Sequence, residues 1–154
     1  MMQNNFHSSN SHANGASNPP PSARLLPILE KAKNTYLLWY EYYQILPKLH
    51  KRSLGQRIDN LFVEIIEAIC TASFLEPAKK LPFIVFAIKK TDVLKVLLMI
   101  LWETKSLDNK KYIALSLKVD ELGKMLGGWN GRIVKDLEKL ALRQNSPAKK
   151  PGEK

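Results

Sequence analysis

Residues 81–102 read Leu-Pro-Phe-Ile-Val-Phe-Ala-Ile-Lys-Lys-Thr-Asp-Val-Leu-Lys-Val-Leu-Leu-Met-Ile-Leu-Trp, with four charged side chains among 22 residues. Apolar residues recur there every three or four positions, which is typical of a helix. No stretch of the chain alternates apolar and polar residues with the period of two that a half-buried strand shows. The pattern predicts a long helix from about residue 82 to residue 105 in an all-α protein.

This helix has two apolar faces. At 100° per residue, one face contains Leu81, Ile84, Val85, Ile88, Met99 and Trp102. The other contains Phe83, Phe86, Val93, Leu94, Leu97 and Leu101. Both apolar faces of such a helix must be covered by other parts of the protein. Either the helix is central in the fold, or one face is covered by another subunit. Because a four-helix bundle has no central helix, we expect the second face to form the interface of a homo-oligomer, although the spacing leaves open which face is core.

Three further helices are predicted around it. The first begins near Pro27 and ends at Pro47, since proline suits a first helical turn and interrupts a helix interior. The pattern Ser53-Leu-Gly-Gln56 predicts a capping box that opens the second helix. Asp108 is the expected N-cap of the fourth. Four helices with short connections favour an up-down-up-down bundle.

The fourth predicted helix contains an unusual number of small residues. Ser116, Gly123 and Gly127 share one strip, where a neighbouring helix can approach closely. The glycines at 127, 128 and 131 weaken the helix, since each costs about 1 kcal/mol in a helix interior. Residues 132–143 are therefore expected to form a short further helical extension.

The chain is predicted to divide into a bundle and two tails. Residues 1–26 are rich in Asn, Ser and Pro, and they have too few apolar side chains to offset their ordering entropy. We expect a disordered polar tail at 1–26, the four-helix bundle at 27–143 and a flexible basic tail at 144–154. The N-terminal residues lack the apolar core of a secretory signal, and no segment reaches the ~18 apolar residues of a membrane span. The expected location is the cytoplasm.

Several kinds of chemistry are absent from the sequence pattern. One cysteine, Cys70, excludes an internal disulfide and is expected in the core. There is no Glu-x-x-His pair for a di-iron centre and no Gly-rich loop followed by Lys-Ser/Thr for a nucleotide. Glu64 and Glu67 are interpreted as surface charges. We therefore expect a non-enzyme without metal or cofactor.

Two charged residues fall among the apolar ones of the third helix. Asp92 and Lys95 are three residues apart and able to pair along the helix. Arg57 of the second helix is another candidate partner for Asp92. If that face is inside, one of these contacts is expected, because a buried charge must be paired.

The sign of the charge is the main functional clue. The chain has 24 Lys and Arg against 14 Asp and Glu, a net charge of +10. There are four basic doublets, three of them near predicted helix ends: Lys51-Arg52, Lys79-Lys80, Lys89-Lys90 and Lys110-Lys111. Together with the net charge they indicate a surface that binds phosphate backbones without reading sequence. The candidate residues are Lys79, Lys80, Lys89, Lys90, Lys110 and Lys111, with Lys149 and Lys150 of the tail as a mobile contact. Tyr36, Trp39 and Tyr43 are expected in the core, and Tyr40 is expected to be exposed.

Five stretches resemble a known family. They are Trp39-Tyr40-Glu41-Tyr42-Tyr43, Leu54-Gly55-Gln56-Arg57-Ile58, Leu94-Lys95-Val96-Leu97-Leu98, Leu101-Trp102-Glu103-Thr104-Lys105 and Gly123-Lys124-Met125-Leu126-Gly127-Gly128-Trp129. They are similar to the accessory variability determinant (Avd) family of four-helix bundles, which serve diversity-generating retroelements. The resemblance covers about residues 27–130, and its most specific parts are Trp-Glu-Thr-Lys and Met-Leu-Gly-Gly-Trp.

The resemblance implies a function that does not involve catalysis by this chain. Members of that family are basic homopentameric barrels that bind the reverse transcriptase and RNA of the element. The complex makes mutagenised complementary DNA, which is transferred into a variable gene. Two alternatives remain. One is a structural or adaptor bundle whose charge serves solubility. The other is an RNA-binding bundle similar to the proteins encoded in ribosomal-RNA intervening sequences.

Overall fold

A computed structural model describes residues 26–147 and Gly152. Four long helices make up most of this part. They are α1 (Pro27–Gln44), α2 (Gln56–Ser73), α3 (Pro77–Glu103) and α4 (Asn109–Asn145). A helical turn, Lys48–His50, and a π-helical stretch, Lys51–Gly55, lie between α1 and α2. The described residues contain no strand, which confirms the all-α prediction.

The four helices pack around one main core, and each contacts two neighbours. α1 and α3 both pack against α2 and α4. Residues late in one helix contact residues early in the next. Trp39 of α1 donates from Nε1 to Asp59 of α2 at 3.2 Å, and Trp102 of α3 stacks on Tyr112 of α4. These contacts join the end of one helix to the start of the next.

The buried face of α3 differs from both predicted faces. Its buried residues are Ile84, Ala87, Thr91, Leu94, Leu98 and Leu101. They combine Ile84 of the first predicted face with Leu94 and Leu101 of the second. Leu94 and Leu101 are fully buried in the main core, so their assignment to a subunit interface is wrong. Apolar residues surround this helix, and only its neighbours determine which side is covered.

The helix starts differ partly from the predictions. α3 begins at Pro77, where a proline needs no N–H partner, and Pro82 lies inside the helix. Asp108 caps α4 as predicted, since its Oδ1 accepts the backbone N–H of Lys111 at 2.8 Å. The prediction for the start of α2 fails.

The predicted capping box at the start of α2 is wrong. Ser53 lies within the π-helical stretch, and its hydroxyl donates to the carbonyl of Leu49 at 3.1 Å. No side chain caps α2. The chain is already helical before Gln56, so the first N–H groups of α2 find carbonyl partners in the preceding turn and need no cap.

α4 is longer and more regular than predicted. It continues through the glycines to Asn145, so residues 132–143 belong to the same helix and form no separate extension. Leu126 and Ile133 are buried on either side of the glycines. Burial of an aliphatic side chain contributes about 1.5–3 kcal/mol, which offsets the cost of the glycines. The predicted tails, 1–26 and 144–154, lie largely outside the described residues.

Candidate nucleic-acid and subunit interfaces

Basic residues from three segments meet at one end of the bundle. His50 Nδ1 and Ser106 Oγ share a hydrogen bond, which holds the 48–55 segment against the loop between α3 and α4. We call this region the basic end. It comprises Lys48, Lys51, Arg52, Lys105, Lys110 and Lys111. Only the last two were among the sequence candidates, because periodicity along one segment does not show which distant segment will lie beside it.

Most cations of the basic end are available to an anion. Lys51 donates to the carbonyl of Gln44 at 3.1 Å, and Lys111 pairs with Asp108 at 3.5 Å. The other four form no salt bridge within residues 26–147. Within the segments that form the basic end, residues 48–55 and 104–111, the acidic residue is Asp108. The basic end therefore keeps a net positive charge.

Lys105 adopts a backbone conformation that lysine rarely takes. Its φ is 62°, in the left-handed region. Ser106 donates its N–H to the carbonyl of Leu101 at 3.0 Å, and Lys105 donates to Trp102 at 3.0 Å. This is the helix ending in which glycine usually occupies the left-handed position. A lysine there carries strain and places a cation beside a cavity of about 490 Å³.

The remaining predicted lysines do not join this surface. Lys79 and Lys80 lie in the first turn of α3, at the opposite end of the bundle. At 1.5 Å per helical residue, α3 separates them from the basic end by about 35 Å. Lys89 is exposed in the middle of α3. Lys149 and Lys150 lie outside the described residues. The predicted set is therefore divided over both ends and the middle of the bundle.

The pairing of Asp92 with Lys95 or Arg57 was expected only if that face of α3 were inside, and this condition is not met. Lys95 Nζ lies 3.2 Å from Asp120 Oδ1 of α4. Arg57 instead pairs with Glu64 at 3.4 Å. Asp92 is exposed. The side of α3 that carries Asp92 is not in the core, so no buried charge requires a partner there.

Glu64 was interpreted as a solvated charge, but it connects two helices. Lys90 Nζ of α3 lies 2.8 Å from its Oε2 and forms an ion pair with it. The hydrogen bond from Lys90 is the largest cause that lowers the pKa of Glu64. The charges of Lys90 and Arg57 add to this effect, while burial opposes it. Lys90 is thus engaged within the chain and is a weaker phosphate-binding candidate than Lys89.

One side of α3 carries many exposed apolar side chains, with the exposed Lys89 and Asp92 among them. We call it the outer α3 face. It comprises Phe83, Val85, Phe86, Val93, Val96, Met99 and Ile100, all of them exposed. Val96 is 50% exposed and Phe86 is 42% exposed. Three of the predicted interface residues, Phe83, Phe86 and Val93, belong to this face, and Leu97 is partly buried beside it.

The glycines of α4 have different surroundings. A Cβ on Gly123 would lie 3.3 Å from Lys95 Nζ, the flexible end of a side chain, and at an ordinary contact distance of 3.7 Å from Thr91 of α3. A Cβ on Gly127 or Gly131 would meet no atom within 4 Å. Packing within the chain does not require these two glycines. Because they have no side chains, the backbone of α4 is uncovered at these two positions, which follow Gly123 at intervals of four residues.

The aromatic residues of α1 lie where they were expected. Trp39 is fully buried, and Tyr36 and Tyr43 are partly buried against the core. Burial is the largest cause that raises the pKa of Tyr36. Tyr40 is 49% exposed. Of these four side chains, Tyr40 is the one whose exposure leaves it accessible to a ligand.

Other classes of site are not indicated in the described part of the chain. No group of three or more His, Cys, Asp and Glu residues there has the geometry to hold a metal ion. None of the helices in residues 26–147 is long and apolar enough to cross a membrane. Cys70 is partly buried rather than fully enclosed.

Comparisons with known proteins do not identify the chain. No protein-family model matches it, and no curated protein matches it either. The likeness to the retroelement accessory proteins therefore rests on the motifs quoted above.

Proposed function

We propose that this protein is a non-catalytic accessory subunit that binds nucleic acid as a basic homo-oligomer. The partner we propose is the reverse transcriptase of a diversity-generating retroelement, together with the RNA template and the complementary DNA. In this role the protein supports mutagenic reverse transcription and transfer of the product into a variable gene. Its contribution is to hold nucleic acid and polymerase together.

The basic end is the observation that carries the nucleic-acid part of the proposal. It gathers six cations from segments that are far apart in sequence, and the contact of His50 with Ser106 holds two of these segments together. Lys105 adds a cation at the expense of backbone strain. Phosphate contacts of this kind give affinity without base recognition, which suits a protein that must accept both RNA and complementary DNA.

The outer α3 face supports the assembly part of the proposal. Seven large exposed apolar side chains on one side of a helix, with Lys89 and Asp92 among them, are typical of a surface that a partner covers. The bare backbone at Gly127 and Gly131 would let a second helix approach closely. A homo-oligomer also adds the +10 charge of each subunit to one field. Five subunits are proposed from the family resemblance alone.

The reverse transcriptase is proposed from the sequence motifs. The Trp102-Glu103-Thr104-Lys105 stretch, one of the two most specific, ends at the basic end. The alternative functions, an adaptor bundle or a bundle similar to the intervening-sequence proteins, predict no such partner. A reverse-transcriptase gene and a near-duplicate repeat beside the gene of this chain would favour the retroelement over both alternatives.

Co-purification tests the proposed function. The chain carrying an affinity tag is expressed with a neighbouring reverse transcriptase and the RNA of the element, and the eluate is analysed with and without ribonuclease. We expect both partners with the wild type. A Lys48/Lys105/Lys110→Gln variant should lose RNA, while a Lys33/Lys124/Lys135→Gln variant, which also loses three charges, should retain it. Recovery of neither partner with the wild type would refute the proposal.

Light scattering tests the proposed assembly. The wild type should have a mass several times 17.5 kDa. A Phe86→Asp variant should be monomeric and still helical, because Phe86 is exposed in the protomer. Leu117→Asp is the control, since Leu117 is an exposed apolar residue on α4. A monomeric wild type, or equal dissociation by both variants, would contradict assembly through the outer α3 face.

A further inference from the structure

A cavity of about 420 Å³ opens at the end of the bundle opposite the basic end. The start of α1, the start of α3 and one side of α4 form its walls. Its principal lining residues are Pro27, Ile28, Lys80, Met125, Trp129 and Arg132. Neither the proposed phosphate-binding surface nor the outer α3 face explains this combination of one large aromatic ring, aliphatic side chains and two cations.

The chemistry of the cavity favours a ligand that is both flat and anionic. Trp129 supplies an aromatic ring that is only partly buried. The Nζ atom of Lys80 lies 5.7 Å from the centre of that ring. Arg132, one turn further along α4, supplies a second cation. Among the described residues, no Asp or Glu lines the cavity, which favours an anion.

Gly128 keeps the cavity open. A Cβ built on this residue would meet no atom within 4 Å. Packing within the protomer therefore does not demand a glycine next to Trp129. Any larger side chain at this position would extend from the cavity wall, so the glycine increases the space that is available to a ligand.

We propose that this cavity receives one unpaired base of a single-stranded nucleic acid, stacked on Trp129, with the adjoining phosphate held by Lys80 and Arg132. The inference rests on the proposed nucleic-acid binding and adds a second contact, about the length of α3 away from the basic end. A strand that reaches both ends would be held by phosphate contacts at one and by a stacked base at the other.

Lys80 has a double role in this scheme. Without a ligand, its ammonium group lies near the Trp129 ring and is held by a cation–π attraction. When a base stacks on the ring, the flexible lysine side chain moves to the phosphate of the same nucleotide. Met125 and Ile28 contact the base through apolar atoms and offer no hydrogen bonds. Stacking of this kind accepts any base.

The test compares two probes of equal charge. One is a 15-nucleotide oligothymidylate, and the other is a 15-unit deoxyribose-phosphate oligomer without bases. The full chain should bind the oligothymidylate about tenfold more tightly than the abasic oligomer. Trp129→Leu should remove this preference and leave affinity for the abasic oligomer unchanged. Lys135→Gln, an exposed lysine of α4 outside the cavity, is the control and should keep the preference.

Gly128→Leu is a second variant, which tests the cavity without removing the partly buried ring of Trp129. Leucine raises helix propensity, and its Cβ meets no neighbour, so the variant should fold. It should fill the cavity and abolish the preference as Trp129→Leu does. Equal wild-type affinity for the two probes, or a preference that survives both variants, would refute the stacking site while leaving nucleic-acid binding intact. Failure of the wild type to bind either probe would refute the proposed function itself.

Discussion

His50 and Ser106 share a side-chain hydrogen bond across 56 residues of sequence. It joins the segment between α1 and α2 to the loop between α3 and α4. Because Lys51 and Arg52 follow His50 directly and Lys105 precedes Ser106, the bond holds cations from two segments at fixed positions. The hydrogen bond therefore organises the basic end, although neither of its members needs to touch a phosphate.

Removal of either member of this bond should weaken RNA binding through the geometry of the basic end. We expect His50→Ala and Ser106→Ala each to lower affinity, and the double variant to lower it by less than the sum of the two in free-energy terms, because both changes break one contact. Affinities from fluorescence anisotropy would give the coupling. Strictly additive effects would show that the bond does not position the basic end.

Lys105→Gly should reduce RNA affinity without reducing the thermal stability of the fold. Glycine adopts the left-handed conformation without strain, so the melting temperature should stay the same or rise. RNA affinity should fall, because the variant loses one cation of the basic end. Lys105→Ala is the matched control: it loses the same charge and retains the strain. A Lys105→Gly variant with wild-type affinity would exclude Lys105 from the binding surface.

Alanine substitution of two consecutive residues of α3 should affect different properties, stability at one position and assembly at the other. Leu94 is fully buried and Val93 is 44% exposed. Leu94→Ala should lower the free energy of unfolding by about 3 kcal/mol, since it leaves a cavity in the core. Val93→Ala should change the stability of the protomer little and weaken its assembly. Urea unfolding and light scattering would measure the two effects, and a small loss of stability for Leu94→Ala would contradict its place in the core.

Glu64 should contribute to stability in a defined range of pH. Its pKa in the folded protein is lowered from 4.5, first by the hydrogen bond from Lys90. The contribution should therefore be complete above pH 4.5 and disappear as the pH falls through the folded pKa. The stability difference between wild type and Glu64→Gln, measured by urea unfolding, should shrink over that acidic range. A constant difference would contradict the ion pair with Lys90.

Local signals in the sequence were enough to predict most of the helices. They were not always enough to predict which face of a helix is buried. α2 has a single apolar face with helical spacing, and its buried residues include Ile58, Leu61 and Ile65. α3 is apolar on all sides, so its spacing has no preferred direction. Its buried face lies between the two predicted ones because α2 and α4 cover that side. The positions of the neighbouring helices determine which side of α3 is buried, and a helical wheel does not contain that information.

The candidate sites required tertiary information for a similar reason. Lysine doublets can be found in the sequence, and Lys110-Lys111 does lie at the basic end. The single residues Lys48 and Lys105 carry no local signal. Ser106 is an ordinary polar residue until the fold brings His50 to it. Trp129 and Gly128 were visible as a motif, whereas the cavity they share with Lys80 depends on the packing of three helices.

The salt dependence of RNA binding tests the central claim most directly. Affinity of the wild type for a single-stranded RNA is measured over a series of salt concentrations, beside the Lys48/Lys105/Lys110→Gln variant and the Lys33/Lys124/Lys135→Gln control. If the basic end binds phosphates, the first variant should bind more weakly, and its log–log slope should be shallower by about 2 to 3 per protomer. The control should keep the wild-type affinity and slope. Identical slopes for all three proteins, or an equal loss in variant and control, would contradict the account.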